Sequence, residues 1–216
     1  MKKDIIIISV TSWCRKIGSN GKKSAMELAN ENQVVLINYP ETITDYVKLI
    51  VNSIKGLKKI NKQKKIDQIN SNLLIRNPTK RILPISGIRI KWLFRLLNRY
   101  NSWVFSTCIN SHIKEFNLKN VILINDSSMY LGSHFDKYLK DVFHAYYIRD
   151  NLSKSKFKFW QHANYIEPEI IKKSDLVLTN SIYYQEYALK KNKKSYMVGQ
   201  GCDLSLFNPK KLSKNI

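Results

Sequence analysis

The chain has 216 residues, of which 44% are hydrophobic, so it can bury one substantial core and we expect a single domain. Its 37 Lys and Arg against 16 Asp and Glu give a net charge of +21, which either favours anionic partners or forms a solvated lysine-rich surface. Three cysteines without metal-ligand spacing argue against a disulfide framework and fit a reducing cytosol, and no apolar run approaches the roughly 18 residues that a membrane span needs.

Short apolar, β-branched segments alternate with helical patterns along the chain, which is typical of βα units around a parallel sheet. In the first half, strands are predicted at 5–10 and 33–38, a helix at 22–30, and extended segments at 72–76 and 81–85. Residues 41–70 are polar, lysine-rich and weakly periodic, so we expect a helix and a mobile excursion there. The longest helical pattern covers 88–116.

The second half of the chain has the most regular alternation. Strands are predicted at 121–125, 143–149, 176–179 and 195–198, and helices at 135–139, 167–173 and 182–190. Pro168 is expected in the first turn of its helix, where a missing N–H costs little, and Ser181 as the N-cap of the next. About six or seven parallel strands with interleaved helices predict an α/β fold with a doubly wound, mostly parallel sheet in three αβα layers.

Two motifs near the end of the chain resemble a known enzyme family. Residues 174–181 read Ser-Asp-Leu-Val-Leu-Thr-Asn-Ser, and residues 195–209 read Ser-Tyr-Met-Val-Gly-Gln-Gly-Cys-Asp-Leu-Ser-Leu-Phe-Asn-Pro. They resemble the close of the amino-terminal domain in GT-B glycosyltransferases of family 4 and their bacterial cell-envelope relatives. The matching positions are Asp175, Ser181, Gly201, Asp203 and Phe207, with Cys202 in place of the family's Val.

Weaker matches extend the resemblance over nearly the whole chain. They are Ser9-Val10-Thr11-Ser12-Trp13 with Arg15, Leu83-Pro84-Ile85, Asn125-Asp126 and Tyr147-Ile148-Arg149-Asp150. The resemblance implies a Rossmann-like half of a GT-B fold, the half that faces the acceptor. Residues 1–204 are expected to form it, and residues 205–216 to begin the linker to a second, donor-binding domain that this sequence lacks.

The resemblance also implies a reaction. A hexosyltransferase of this type moves a sugar from a nucleotide sugar to a cell-envelope glycan or lipid-linked acceptor, in polysaccharide biosynthesis. The nucleotide sugar is expected on the missing second domain, so this chain needs no cofactor of its own and is expected to be inactive alone. The expected location is the cytoplasm, peripheral on the inner face of the membrane.

Acidic and polar residues follow the predicted strands, where ligands bind in a doubly wound sheet. Asp126 and Asp150 are the catalytic candidates, as a general base or as groups that position an acceptor hydroxyl; each could instead cap a helix or form an Asx turn. Further cleft candidates are Trp13, Arg15, Ser19 and Asn20 in the first loop, which the resemblance implies, together with His134, His162 and Asn180. Packing, a turn or a satisfied core histidine is the alternative for these.

No His, Cys or Asp cluster has metal-ligand spacing, and no Asp-x-Asp occurs, which argues against a metal-dependent GT-A enzyme. The candidates for a membrane-surface contact lie on a predicted basic helix and are Arg89, Lys91, Trp92, Arg95 and Arg99. It could lie on an anionic leaflet, or pack on the sheet with a solvated back, since its aromatic residues fall all round the helical wheel.

Two other functions stay open at this stage. One is a basic module that binds nucleic acid or another polyanion, although the sequence has no RNP-like motif, helix-turn-helix or zinc ligands. The other is a truncated, non-catalytic docking partner of a synthase.

Overall fold

The computed structural model describes residues 2–10, 12–13, 20–55, 66–150, 152 and 161–199. The strands are β1 (Asp4–Ser9), β2 (Gln33–Asn38), β3 (Ile66–Asn70), β4 (Leu73–Arg76), β5 (Ile122–Asp126), β6 (Phe143–Ile148), β7 (Leu176–Thr179) and β8 (Ser195–Met197). The helices are α1 (Asn20–Leu28), α2 (Ile43–Ile54), α3 (Lys91–Glu115), α4 (Met129–Gly132), α5 (Phe135–Tyr138), α6 (Ala163–Lys173) and α7 (Ile182–Leu189).

The strands form one eight-stranded sheet in the order β3-β4-β2-β1-β5-β6-β7-β8. Every neighbouring pair is parallel except β3 and β4, which are antiparallel at one edge. The predicted doubly wound, mostly parallel α/β sheet is therefore confirmed. The edge strand β3 was not predicted, because its sequence lies in the polar stretch where we expected a mobile excursion.

Both faces of the sheet are covered, which is why the central strands are apolar on consecutive residues. Ile5 and Ile7 of β1 pack with α1, through Ala25. Ile6 and Ile8 point to the opposite face and pack in the cluster that contains Phe105 of α3. A further cluster joins α6 and α7 to β6 and β7 on that second face, so the layers are α, β and α.

One local prediction is wrong. Helix α6 begins at Ala163, so Pro168 lies inside it rather than in its first turn. Ala163 and Ile166 are buried against the core, and this packing stabilises helix on the amino-terminal side of the proline.

The predicted extended segment 81–85 does not add a strand to the sheet. Ile82 forms a parallel bridge with Thr42.

Three further predictions concern a helix cap, the cysteines and the linker. Ser181 is the N-cap of α7, as predicted, since its side chain accepts a hydrogen bond from Tyr184 N. Cys108 is buried and free, whereas Cys14 and Cys202 lie outside the described residues. The predicted linker, 205–216, also lies outside them.

Candidate functional site

The site candidates meet where the strand order reverses. From β1 the chain winds outward through β2 on one side and through β5 on the other, so the crevice above the β1–β5 boundary is the topological switch point of the sheet. Ser9 ends β1 and Asp126 ends β5, and the two residues are register partners. Asp126 therefore occupies the position at which doubly wound proteins bind their ligands.

Asp126 is a buried carboxylate, with 1% of its surface exposed. Ser9 Oγ donates to its Oδ2 at 3.4 Å, and Arg149 Nε lies 2.7 Å from its Oδ1. The contact between Asp126 and Arg149 is therefore a largely buried ion pair. Burial raises the pKa of Asp126 to about 6, and Arg149 opposes part of this rise.

A glycine lets helix α1 approach this carboxylate. A Cβ atom at Gly21 would lie 2.7 Å from Asp126 Oδ2 and 2.8 Å from Ser9 Oγ, so a larger residue would force one of these side chains to move. The first turn of α1 thereby contacts Asp126, and the positive end of the helix dipole favours a negative charge there. The predicted helix began at residue 22, so the sequence did not indicate this contact of Gly21.

The turn after β5 is held by Asn125 rather than by Asp126. Asn125 Oδ1 accepts a hydrogen bond from Ser128 N at 3.0 Å, and Asn125 is fully buried. Ser127 has a left-handed φ of 60°, which is strained for a residue with a side chain. Its backbone N–H bonds to Tyr147 O at 3.1 Å. Because Asn125 forms the Asx turn, Asp126 is not needed as a cap.

Asp150 and Asn180 follow the neighbouring strands β6 and β7. Asn180 Nδ2 donates to Arg149 O at 2.8 Å and ties the two strand ends together. Asp150 is exposed, and its charge is among the causes that raise the pKa of Asp126, so both acids lie within electrostatic range. The structure therefore brings Asp126, Asp150 and Asn180 together at one edge of the sheet. It adds Arg149, a residue for which the sequence alone gave no role.

The first loop is described in part. Trp13 N donates to Asn38 Oδ1 at 2.8 Å, and the ring packs on the α1 side of the core with Lys22 Nζ 4.6 Å from its centroid. Asn20 is the first residue of α1 and is half-buried. Arg15 and Ser19 lie outside the described residues.

The two histidine candidates are both held by neighbouring groups. His134 Nδ1 lies 2.9 Å from Ser133 Oγ, and burial followed by the charge of Lys173 lowers its pKa to about 4. Lys173 is the last residue of α6 and lies just before the beginning of β7. The beginnings of the parallel strands lie at the edge of the sheet opposite to Asp126, which ends β5. His162 is 5% exposed; its Nε2 lies 2.6 Å from Ile88 O and its ring centroid lies 3.9 Å from that of Phe94, as in a satisfied core histidine.

The cations of α3 contact neighbouring helices. Arg95 pairs with Glu169 at 2.5 Å, Lys91 Nζ lies 4.5 Å above the Tyr165 ring, and Arg99 Nε donates to Tyr138 OH at 3.2 Å. Arg89, which precedes the helix, is exposed.

The apolar residues of α3 divide between its two sides. Trp92 is 68% exposed, and Leu96, Tyr100 and Trp103 are exposed at successive turns of the same side, whereas Phe94 is buried. The aromatic residues therefore lie on more than one side of α3, as the helical wheel predicts, and the exposed ones share one side. They form one stripe beside Lys91, Arg95 and Arg99, which we call the α3 stripe.

Two kinds of feature are absent from the part of the chain that the structure describes, a metal-binding cluster and a membrane-spanning helix. There, no three His, Cys, Asp or Glu side chains are grouped so that they could hold a metal ion. In the same part, every helix is too short or too polar to cross a bilayer.

No protein-family model matches this sequence, and no curated protein matches it. Solved structures are similar in fold. Trehalose-6-phosphate from E. coli, bound with UDP-2-fluoro glucose, has a TM-score of 0.54 at 8% identity, over 98% of this chain and 53% of that one. UDP-glucose: anthocyanidin 3-O-glucosyltransferase in complex with UDP has a TM-score of 0.53 at 11% identity, over 97% and 55%. Phytolacca americana apo UGT2 has 0.53 at 10% identity, over 99% and 55%.

The chain therefore spans about half the length of these three proteins. At such low identity the likeness establishes the fold, a Rossmann-like α/β sheet with helices on both faces.

Proposed function

We propose that this chain is the acceptor-side half of a GT-B glycosyltransferase, of a family 4-like, bacterial cell-envelope type. It helps to move a hexose from a nucleotide sugar to a cell-envelope glycan or lipid-linked acceptor. The observation that carries the proposal is a pair of acids, Asp126 at the switch point and Asp150 after the adjacent strand β6, in a sheet whose fold resembles that of proteins solved with UDP or a UDP sugar bound. The nucleotide sugar itself is assigned to a second domain.

The two acids have different tasks in this proposal. Asp150 is exposed at the crevice, so it is the acid that contacts the acceptor hydroxyl and either orients it or accepts its proton as the new glycosidic bond forms. Asp126 is closed from solvent and acts through Arg149, whose side chain is only 14% exposed. We assign Asp126 as a positioning residue that holds the end of β6, and with it the backbone that carries Asp150.

The test is the rate of sugar transfer by the complete gene product. Asp150→Asn should lower kcat at least tenfold, since an acid that acts in proton transfer typically contributes 10²–10⁴-fold. Asp126→Asn should also lower kcat, with a smaller effect on KM, because it shifts Asp150 rather than removing it. Asp141→Asn is the matched control, since Asp141 is an exposed acid that precedes β6 at the opposite edge of the sheet. Wild-type rates for both Asp126→Asn and Asp150→Asn would remove the assignment.

We also propose that the α3 stripe contacts an anionic membrane surface, where a lipid-linked acceptor would be found. Exposed Trp92, Tyr100 and Trp103 beside cations are the composition that favours a lipid headgroup region. The chain should sediment with vesicles that contain phosphatidylglycerol and not with pure phosphatidylcholine. Trp92→Ser/Trp103→Ser should weaken that binding, and equal retention on neutral vesicles would contradict the proposal.

A further inference from the structure

A second concave surface lies at the edge of the sheet opposite to the switch-point crevice. It is an open groove of about 810 Å³, which we call the basic groove, between the carboxyl-terminal end of α3 and the segment that joins α5 to β6. Residues 118–121 and 139–142 line it just before β5 and β6 begin, whereas Asp126 ends β5. The five residues of β5 span about 16 Å, so the groove and Asp126 are separated by the length of a strand.

Four lysines and one acid line the basic groove. Lys114 lies in the last turn of α3, and Lys119 follows that helix. Lys137 and Lys140 lie on the α5 side, together with the acid, Asp141. All five side chains are exposed, and among the described residues no carboxylate forms an ion pair with any of the four ammonium groups. Like charges around a concave surface raise its positive potential, because low-dielectric walls focus the field.

Other acids near the groove are engaged by partners of their own. Asp4 Oδ2 accepts a hydrogen bond from Lys119 N at 2.6 Å. Glu115 pairs with Arg76 at 2.9 Å and with His112 at 3.1 Å. Neither acid lines the groove, so among the described lining residues Asp141 carries the one carboxylate.

The excess of lysine is not a general feature of this edge of the sheet. A smaller cavity of about 160 Å³ adjoins the groove across Leu139, Lys140 and Val142, and two lysines and two acids line it. There Lys173 Nζ lies 3.8 Å from Asp136 Oδ2. The smaller cavity therefore balances its charges within the chain, and the basic groove does not.

The floor of the basic groove is apolar. It is formed by three buried side chains and two half-buried ones, which are Leu118, Val121, Leu139, Ile113 and Val142. A phosphate ester with an apolar ring or alkyl body matches this combination, because lysines bind phosphate as point charges while the floor contacts the body. Small-molecule sites typically have volumes of about 300–1,000 Å³, and the groove lies within that range.

Hydrogen bonds fix the two sides of the groove relative to each other. Asn110 Nδ2 of α3 donates to Tyr138 O of α5 at 3.2 Å. Arg99 Nε of α3 donates to Tyr138 OH at 3.2 Å, and Tyr138 itself lines the groove. A ligand would therefore meet a preformed surface, which limits the entropy lost in ordering the site on binding.

We propose that the basic groove binds a small phosphate ester. The apolar body of the ligand lies on the floor, and its phosphate lies among Lys114, Lys119, Lys137 and Lys140. A phosphate dianion reduces the repulsion among these lysines, which Asp141 offsets only in part. The site shares no residue with the switch-point crevice, and the inference does not rest on the proposed function.

The test is calorimetric titration of the full chain with 1-naphthyl phosphate. One equivalent should bind, and the affinity should fall as salt is raised, because salt screens exposed charges. Inorganic phosphate lacks the ring and 1-naphthol lacks the phosphate, so each should bind at least about tenfold more weakly.

A pair of double variants locates the binding site. Lys119→Gln/Lys140→Gln should weaken binding at least about fivefold, since it removes one ammonium group from each side of the groove. Lys193→Gln/Lys194→Gln is the matched control, because it removes the same charge from an exposed segment before β8, and it should bind as wild type does. Unchanged thermal midpoints are expected, because all four lysines are exposed and none lies in a helix.

Three results would overturn the inference. One is the absence of saturable binding of 1-naphthyl phosphate at millimolar concentration. Another is equal weakening in the two double variants, which would mean that net charge rather than the groove attracts the probe. The third is binding of single-stranded DNA that Lys119→Gln/Lys140→Gln abolishes, without binding of 1-naphthyl phosphate, which would make the groove a polyanion surface.

Two further variants separate this site from the proposed function. Asp150→Asn and Trp92→Ser/Trp103→Ser should both bind 1-naphthyl phosphate as wild type does, because neither changes a residue that lines the groove. Loss of probe binding in either of them would place the site at the crevice or at the α3 stripe and would contradict the inference.

Discussion

Folded proteins mostly bury apolar side chains and expose polar ones, and the switch-point crevice and helix α2 depart from this distribution in opposite ways. At the crevice, polar groups are enclosed: Asn125 is 0% and Asp126 is 1% exposed. On α2, aliphatic groups are exposed and nothing is buried. The crevice is held from several strands at once, whereas one side of α2, the α2 stripe of Ile43, Val47, Val51 and Ile54, faces solvent.

The contrast concerns which neighbours hold each region. Proteins break the rule of apolar inside and polar outside mainly at functional positions, where another requirement outweighs stability. A buried carboxylate must have its geometry fixed by neighbours, and Ser9 and Arg149 do so for Asp126. Among the described residues, none covers the exposed aliphatic side chains of α2.

The largest expected effect is at Gly132, which packs beneath the β5 turn. A Cβ there would overlap Asn125 Nδ2 and lie 2.8 Å from Ile170 Cδ1. Gly132→Ala should therefore lower the free energy of unfolding by about 3 kcal/mol, as for a strongly overpacked core. Gly87→Ala is the control, because nothing lies within 4 Å of a Cβ at that position. Urea unfolding followed by tryptophan fluorescence measures both, and equal stabilities would mean that the turn is not tightly packed.

The next effect is a dependence on pH. Burial raises the pKa of Asp126 from 3.8 to about 6, so the folded protein binds this proton more tightly than the unfolded chain does. The contribution of Asp126 to stability is then complete below about pH 4 and is lost as the pH rises through 6. Two pKa units correspond to about 3 kcal/mol.

Other buried groups also contribute to the pH dependence of stability. The contribution of Asp126 is therefore measured as the difference in unfolding free energy between a variant and the wild type. Burial raises the pKa of Glu167 to about 7, which acts in the same direction, whereas burial lowers the pKa of His134 and His144 to about 4, which acts in the opposite direction. The wild-type profile therefore mixes both signs. The unfolding free energy of Asp126→Asn minus that of wild type should rise by about 3 kcal/mol between pH 4 and 7. A difference that is constant with pH would contradict the raised pKa.

The sequence predicted the strand ends better than it predicted the surfaces. Asp126 and Asp150 lie at one edge of the sheet, as expected, because each follows an apolar strand and the ends of parallel strands meet there. Gly21 and Arg149 were missed because their roles depend on the register of β1, β5 and β6. Register is set by packing between segments far apart in the chain, which no local pattern reports.

The surface elements were harder for a different reason. A helical wheel of α3 includes Phe94, and only tertiary structure separates this buried ring from the exposed Trp92. The region of α2 appeared weakly periodic because its lysine-rich continuation dilutes the pattern. His134 and His162 were assigned to the cleft from their position between elements, although neighbours decide whether a histidine is free or satisfied.

The smallest expected effect is a change in stability caused by substitutions on α2, and it distinguishes α2 from the buried sheet most directly. In solution, Val47→Ser/Val51→Ser should change the free energy of unfolding by less than about 0.5 kcal/mol, because an exposed side chain transfers little apolar surface on folding. Val34→Ser is the buried comparison: Val34 is 0% exposed in the sheet, and its replacement should cost several times more. If the α2 variant instead lost as much stability as Val34→Ser, the α2 stripe would be packed in solution. The contrast with the crevice would then fail, while the buried crevice itself would be unaffected.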